Sequence, residues 1–239
     1  MERVALARRQ LRKGFYGRTR TGMKGKEMAI KGNYEVIELD YKTAIDLVIK
    51  NHYLHRKAPC SKAFGLLDIE QNRIVGVVIY GVSASSTLLR GVCGEEEAKN
   101  VYELTRLWIE DTVPKNGESF LIGNTLKRLD KEIIVSYADS SQEHLGVVYQ
   151  ATNFLYTGLS SKFRDPKVKG LEHQHHATYA NGMTNKQLVE KFGENLYYVD
   201  RPRKHRYVYF NASGRRKKEL VNKLNYKQLP YPKAGAVIV

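Results

Sequence analysis

At 239 residues, 42% of them hydrophobic, the chain suffices for one sizeable core with appendages and falls short of two full domains. Cys60 and Cys93 form no disulfide framework, and no signal peptide or long apolar span appears, which argues against secreted and membrane-spanning classes and sets the expectation of a soluble, cytoplasmic protein. The net charge of +15 is uneven: residues 1–32 hold 10 Lys or Arg against 2 acids, residues 201–239 hold 11 against 1, and residues 33–200 hold 19 against 22.

Two basic arms on a near-neutral globule are what the phosphates of a polyanion attract, through Coulomb steering and counterion release. The arms interleave aromatic and glycine residues with the charges, which favours nucleic acid over a solubilising charge run. Between them, YEVIELD (34–40) reads as a strand. YKTAIDLVIKNHYLH (41–55) reads as a helix whose continuation Pro59 forbids, so His52 lies at a helix end. SKAFGLLDIE and RIVGVVIYGVSA read as a hairpin turning at Gln71 and Asn72. An acidic segment, GEEEAKN, is followed by a strand (101–111), a helix (118–132), a buried strand ending in polar residues (133–140), a helix in HLGVVYQATNF and a late strand at 155–159. This order predicts an α/β sandwich around a central mixed sheet. NKQLVEKFG is a further short helix, and KHRYVYF (204–210) a basic, aromatic strand with one face free to meet DNA.

That order, with Tyr149 in the last core helix and Phe154 five residues on, resembles the GNAT-type acyltransferase fold. The resemblance implies a tyrosine that protonates the leaving group and a V-shaped cleft for the donor. The superfamily's R/Q-x-x-G-x-G/A phosphate loop has no counterpart in VPKNGESFLIGN, where Gly117 and Gly123 stand six apart. A narrower set, NHYLHR (51–56), AFGL (63–66), VYELTRLWIED (101–111), NGES (116–119), SYAD (136–139), GVVYQATNFLYTG (146–158) and KHRYVYF, is similar to the Mom family over about residues 34–211. These phage proteins convert adenine in DNA to N6-carbamoylmethyladenine and shield the genome from restriction. The resemblance implies a GNAT-like core acting on double-stranded DNA in the cytoplasm of a phage-infected bacterium.

The exocyclic N6 of adenine is a poor nucleophile, its lone pair delocalised into the ring, so acyl transfer to it needs a positioned base and oxyanion stabilisation. Asp139, at a strand end where burial would raise its proton affinity, suits the base, or it caps the next turn. Tyr149 is the candidate acid, or an ordinary helix aromatic. Ser119 would orient the acyl carbonyl, or cap its helix. Arg106, a charge in an apolar strand, needs an anion: Glu103, Asp111 or a substrate group. His52 and Tyr53 are placed to stack on a base taken out of the duplex, with Trp108 and Tyr137 as further substrate contacts, and His55 and Arg56 as backbone contacts. Arg203, Lys204, Arg206, Arg215, Arg216, Lys217 and Lys218 are the expected DNA-binding cations. The cluster His173, His175 and His176 sits in a polar loop with Glu172 as the nearby acid and no cysteine, which favours a solvated or phosphate-facing loop over a metal site.

The carbamoylmethyl product contains every atom of a glycyl group. This points to glycine activated on tRNA as donor, with acetyl-CoA as the alternative. The organisation expected is a basic arm (1–32), a GNAT-like catalytic core (33–165) and a C-terminal extension (166–239). The competing functions are a GNAT-type transferase acting on tRNA or protein amines, and a non-enzymatic DNA-binding protein.

Overall fold

The computed structural model describes residue 30 and residues 32–233 except 175 and 181, so nearly all of the expected N-terminal arm lies outside the described residues. Strand β1 (Tyr34–Glu38) leads into helix α1 (Tyr41–Asn51). Asp40 caps α1, accepting from the Thr43 N–H at 3.0 Å, which satisfies one of the orphan donors of the first turn. Strands β2 (Lys62–Asp68) and β3 (Arg73–Gly81) form the expected hairpin, with Asn72 in the left-handed region and the Asp68 carboxylate accepting from the Gln71 N–H at 2.8 Å.

Helix α2 (Ser86–Cys93) follows, then a 3-10 turn (Glu95–Asn100), β4 (Val101–Ile109), α3 (Gly117–Leu126) and β5 (Ile133–Asp139). Beyond these come α4 (Val147–Ala151), β6 (Leu155–Leu159), β7 (Phe163–Val168), α5 (His176–Ala180), α6 (Asn185–Phe192), β8 (Leu196–Arg201), β9 (Lys204–Phe210) and α7 (Gly214–Asn222). Seven strands make one sheet in the order β1-β2-β3-β4-β5-β9-β6, and β7-β8 form a separate ribbon. The fold is mixed α/β with a large mixed sheet flanked by helices, as the sequence predicts.

Several expected elements are shorter. Helix α1 stops at Asn51 instead of 55, because His52 takes an extended conformation and closes the helix with its own N–H on the Val48 carbonyl. The helix expected over 118–132 ends at Leu126. Helix α2, the ribbon and α7 escaped the sequence reading. Strand β9 lies between β5 and β6, so the central sheet draws on both sides of residue 165. Arg206 and the rest of KHRYVYF are therefore interior to the sheet instead of presenting a free face.

One sheet face packs against α3 and α4 through Leu121, Ile122, Tyr149, Phe154 and Tyr207. The other packs against α1 through Ala44, Ile45 and Val48, and against α2 and α7 through Leu88, Val92 and Leu220. Residues such as Leu121 and Ile122, fully buried, each contribute about 1.5–3 kcal/mol of transfer free energy. Among the described residues no helix is long and apolar enough to cross a membrane.

Candidate active site

Among the described residues the one parallel pairing in the main sheet joins β4 to β5, and it covers Val101–Leu104 against Ile133–Ser136. Past those residues β4 continues to Ile109 on β3 and β5 continues to Asp139 on β9. The two strands part, and a wedge opens through the sheet. It holds a cleft of about 710 Å³ lined by His52 and Tyr53 from the end of α1, Arg106 and Trp108 from β4, Tyr137 and Asp139 from β5, Tyr149 from α4, and Lys204 from β9. Its size is that of a small-ligand site.

The segment after α1 is held over this wedge by close backbone packing. A Cβ on Gly81 would meet the Pro59 carbonyl oxygen at 2.3 Å, and the Thr105 hydroxyl donates to the same carbonyl at 3.0 Å. On the opposite wall Gly146 takes a positive φ with its Cα against the Tyr207 ring, where a Cβ would lie 2.4 Å from Cε2, a position only glycine fills without strain.

His52 and Tyr53 stack with ring centroids 4.4 Å apart and 26° between planes. The Leu54 N–H donates to His52 Nδ1 at 3.1 Å, leaving Nε2 to carry the proton of the neutral ring. Burial, then the Arg106 charge, pushes His52 down to about 4. Tyr53 is 48% exposed, so a flat apolar face is available at the cleft mouth.

Arg106 donates to the Thr105 carbonyl at 2.6 Å and, weakly at 3.4 Å, to the Lys57 carbonyl. Its Nε is buried without a partner. Neither Glu103 nor Asp111 forms an ion pair with it. Burial, then the neighbouring Arg56, lowers its proton affinity, as expected of a buried cation that no carboxylate among the described residues pairs.

Asp139 departs from expectation. Burial raises its proton affinity, but the Ser141 hydroxyl and N–H, together with Lys204, outweigh it and leave the carboxyl below its ordinary value. The distances are 2.7 Å and 3.0 Å to Ser141 and 3.4 Å to Lys204 Nζ. It is thus both a turn cap and a cleft carboxylate. Tyr149 is buried, and burial raises its phenol. Ser136 Oγ, beside it in the core, moderates that shift yet lacks a partner in hydrogen-bond geometry. Tyr137 is pushed up to about 12, also by burial.

Ser119 is not in this cleft. Its hydroxyl donates to the Asn116 carbonyl at 3.0 Å, and it lines a separate groove of about 490 Å³ between α3 and the end of α4. The cleft takes Glu118 in its place, along with Glu103, Glu143 and His144, which sequence reasoning missed as cleft residues. Position in a wedge, not residue type, brings them there.

The expected DNA-binding cations divide. Arg215, Lys217 and Lys218 lie exposed on α7. Arg203 donates to the Ser160 carbonyl at 2.7 Å. Arg206 and Arg216, expected to meet DNA, are engaged inside the fold. Arg206 donates to Thr157 at 2.9 Å and lies 3.4 Å over the Tyr226 ring. Arg216 binds Glu97, Glu132 and Glu219. Among the described residues no group of three His, Cys, Asp or Glu is placed to hold a metal; His175 and the side chain of His176 lie outside them.

The family model described as the Mom protein family matches residues 33–233. A curated relative, the methylcarbamoylase Mom of Escherichia phage Mu, is 30% identical over 203 residues, covering 77% of this chain and 74% of the relative. Solved structures include a GNAT-family acetyltransferase from Bacillus cereus, 14% identical with a TM-score of 0.41 over 76% of this chain and all of that one. Another is the ribosomal-protein-S5-alanine acetyltransferase from Vibrio fischeri, 12% identical with a TM-score of 0.42 over 76% and 94%. Likeness at that distance brings no substrate or donor with it. The match over 33–233 and the phage Mu relative, whose name is that of a transferase, place the chain in the Mom protein family.

Proposed function

We propose that this Mom-family enzyme is a transferase that converts adenine N6 in double-stranded DNA to N6-carbamoylmethyladenine, in the cytoplasm of a phage-infected bacterium, and so protects the DNA from restriction. The observation that carries the reading is the meeting of the stack of buried His52 on exposed Tyr53 with Asp139 and Tyr149 in one wedge between β4 and β5. A base extruded from the duplex stacks on Tyr53. Neutral His52 hydrogen-bonds to it without adding charge. Arg106 takes the accompanying anion.

Asp139 is ionised at neutral pH and accepts from the N6 amino group. Lys204, which neutralises it in the free protein, turns to an arriving phosphate and leaves the carboxylate to N6. Tyr149, protonated because burial raises its phenol, protonates the departing oxygen.

The donor in this reading is glycine esterified to tRNA. N6 attacks the glycyl carbonyl, and the ester C–O bond breaks with the proton passing to the tRNA hydroxyl. The free glycyl amine then attacks C6, the original N6 leaves C6 and becomes the terminal amide, and the product is N6–CH2–CO–NH2. No further reactant is needed. Two features speak against acetyl-CoA: the missing phosphate loop, and Glu118 in the first turn of α3 and on the cleft wall, where its charge opposes a pyrophosphate at that helix end.

Mass spectrometry of nucleosides from the DNA of expressing cells tests the activity; unmodified adenine alone would sink it. Purified protein given DNA and 15N-glycine tests the donor. Product is expected only with tRNA and its charging enzyme, with the label on the nitrogen attached to C6. Carbon entering from acetyl-CoA without tRNA would refute the glycyl donor.

A further inference from the structure

The β7–β8 ribbon stands apart from the main sheet, and the position and charge of its root bear on how DNA is held. Its two legs spring from β6 and β9 at the cleft mouth. The Ser160 N–H donates to the Lys204 carbonyl at 2.8 Å, the Lys204 N–H to Ser160 Oγ at 2.9 Å, and the Ser140 hydroxyl to the Arg203 carbonyl. Lys204 and Asp139 are cleft residues, so the ribbon is anchored on the site itself.

Its far end is braced by α5 and α6, through Val168, Tyr179, Leu188 and Leu196. Six residues per strand give it a length of about 20 Å.

Charge is concentrated there. Residues 162–169 and 196–204 carry seven Lys and Arg against two Asp, whereas residues 33–159 carry 13 against 17, and the helical brace, 170–195, carries two against three. Residues 33–159 repel a polyanion on balance, whereas the ribbon attracts one, as do residues 205–233 with eight Lys and Arg against one Glu. Lys162, Lys167 and Lys169 have no ion-pair partner among the described residues, while Arg164 and Arg201 are paired to Asp200 and Asp165. On one face, Phe163 and Val199 stand 52% and 45% exposed, beside Lys167 and with Arg201 over the Phe163 ring at 4.8 Å.

We propose that the β7–β8 ribbon is the duplex-docking element: it enters the major groove of DNA, its free lysines meet flanking phosphates, and its root sets the target base at the cleft. An antiparallel two-stranded ribbon fits the major groove, and exposed apolar side chains there meet thymine methyl groups. Groove entry from a root beside Asp139 fixes the register of the duplex against the wedge. The inference rests on the DNA reading above and adds where the DNA is held.

The test is fluorescence anisotropy of a labelled DNA duplex with the full chain, its Lys162→Ala/Lys167→Ala/Lys169→Ala variant, and a Lys186→Ala/Lys191→Ala control on the brace. Between ~50 and ~200 mM salt the log–log slope of affinity should flatten by about 0.9 for each lost phosphate contact, approaching 2.7 for the triple variant, with the control unchanged. An unchanged slope in the triple variant overturns the proposal. So does a loss confined to a tRNA probe, which would make the ribbon an RNA surface. Nucleoside analysis with the wild-type chain separates the two readings: absence of modified adenine sinks the enzymatic assignment, whereas ribbon docking stands or falls on the salt slope alone.

Discussion

Replacing Arg216 with alanine should destabilise the protein and leave duplex affinity nearly unchanged. Its guanidinium bridges α7 to the 3-10 turn before β4 and to the residue before β5, at 2.7 Å from Glu97 and 2.8 Å from Glu132. Glu97 is buried. The Arg216 hydrogen bonds are the main reason that its carboxyl drops from 4.5 to about 2, with Lys223 and Asn100 adding to the effect against the cost of burial. The shift sets a ceiling of about 3 kcal/mol. Because Arg216 and Glu132 keep about a third of their side chains exposed, solvent screening brings this to about 1–2 kcal/mol.

For a protein of this size that lowers the melting temperature by about 2–8 °C. A depressed carboxylate stabilises above its unfolded value and loses that contribution as pH falls through its folded one. The gap between wild type and variant should therefore be full at pH 7 and close as pH falls from 4.5 toward 2. Calorimetric melting across that range, with duplex anisotropy at pH 7, is the assay. Equal melting temperatures at pH 7, or a loss of DNA affinity without a loss of stability, would refute the reasoning and return Arg216 to the DNA surface.

Asp139→Asn keeps a side-chain oxygen for the Ser141 cap but removes the charge; fold and DNA binding should persist while modified adenine falls at least a hundredfold, and near-normal product from the folded variant would remove Asp139 from the chemistry. Tyr149→Phe deletes one buried hydroxyl, so kcat should drop with KM little changed; equal losses in binding and turnover would mark a packing role. The His52 imidazole, followed by NMR, should titrate near 4, and stability should decline as pH falls from 6.5 toward 4, because the unfolded chain takes up the proton first. A midpoint near 6.5 would contradict the burial and Arg106 charge that depress it.

Hydrophobic periodicity carried the sheet. The hairpin at Gln71–Asn72, the buried run IIVSYAD and the late strand at 155–159 are local patterns, and each is found in place. What sequence could not supply was pairing between distant segments. KHRYVYF alternates in the way an edge strand would, yet it fills the slot between β5 and β6. That insertion turns Arg206 inward to Thr157 and Tyr226. The run GRRKKEL reads as a charged tail until Leu220 is seen fully buried and Arg216 closes on three carboxylates from separate elements. Ser119 follows the same logic. Helical spacing puts it one position from Glu118, and about 100° of rotation sends one side chain to the groove and the other to the cleft.

The site's electrostatics then constrain the order of events. Asp139 with a lowered proton affinity is a weak base, and Lys204 is one of the groups, after Ser141, that lower it. In the proposed reaction the carboxylate becomes useful when a phosphate at the ribbon root draws the ammonium off. Arg106 carries the complementary requirement, a cation with a buried, unpartnered Nε awaiting an anion. Under the proposed function one ligand, bringing negative charge and an extruded base together, would meet both needs. In the proposed reaction the free protein is therefore held idle by its own lysine, and binding of nucleic acid is the step that arms the carboxylate.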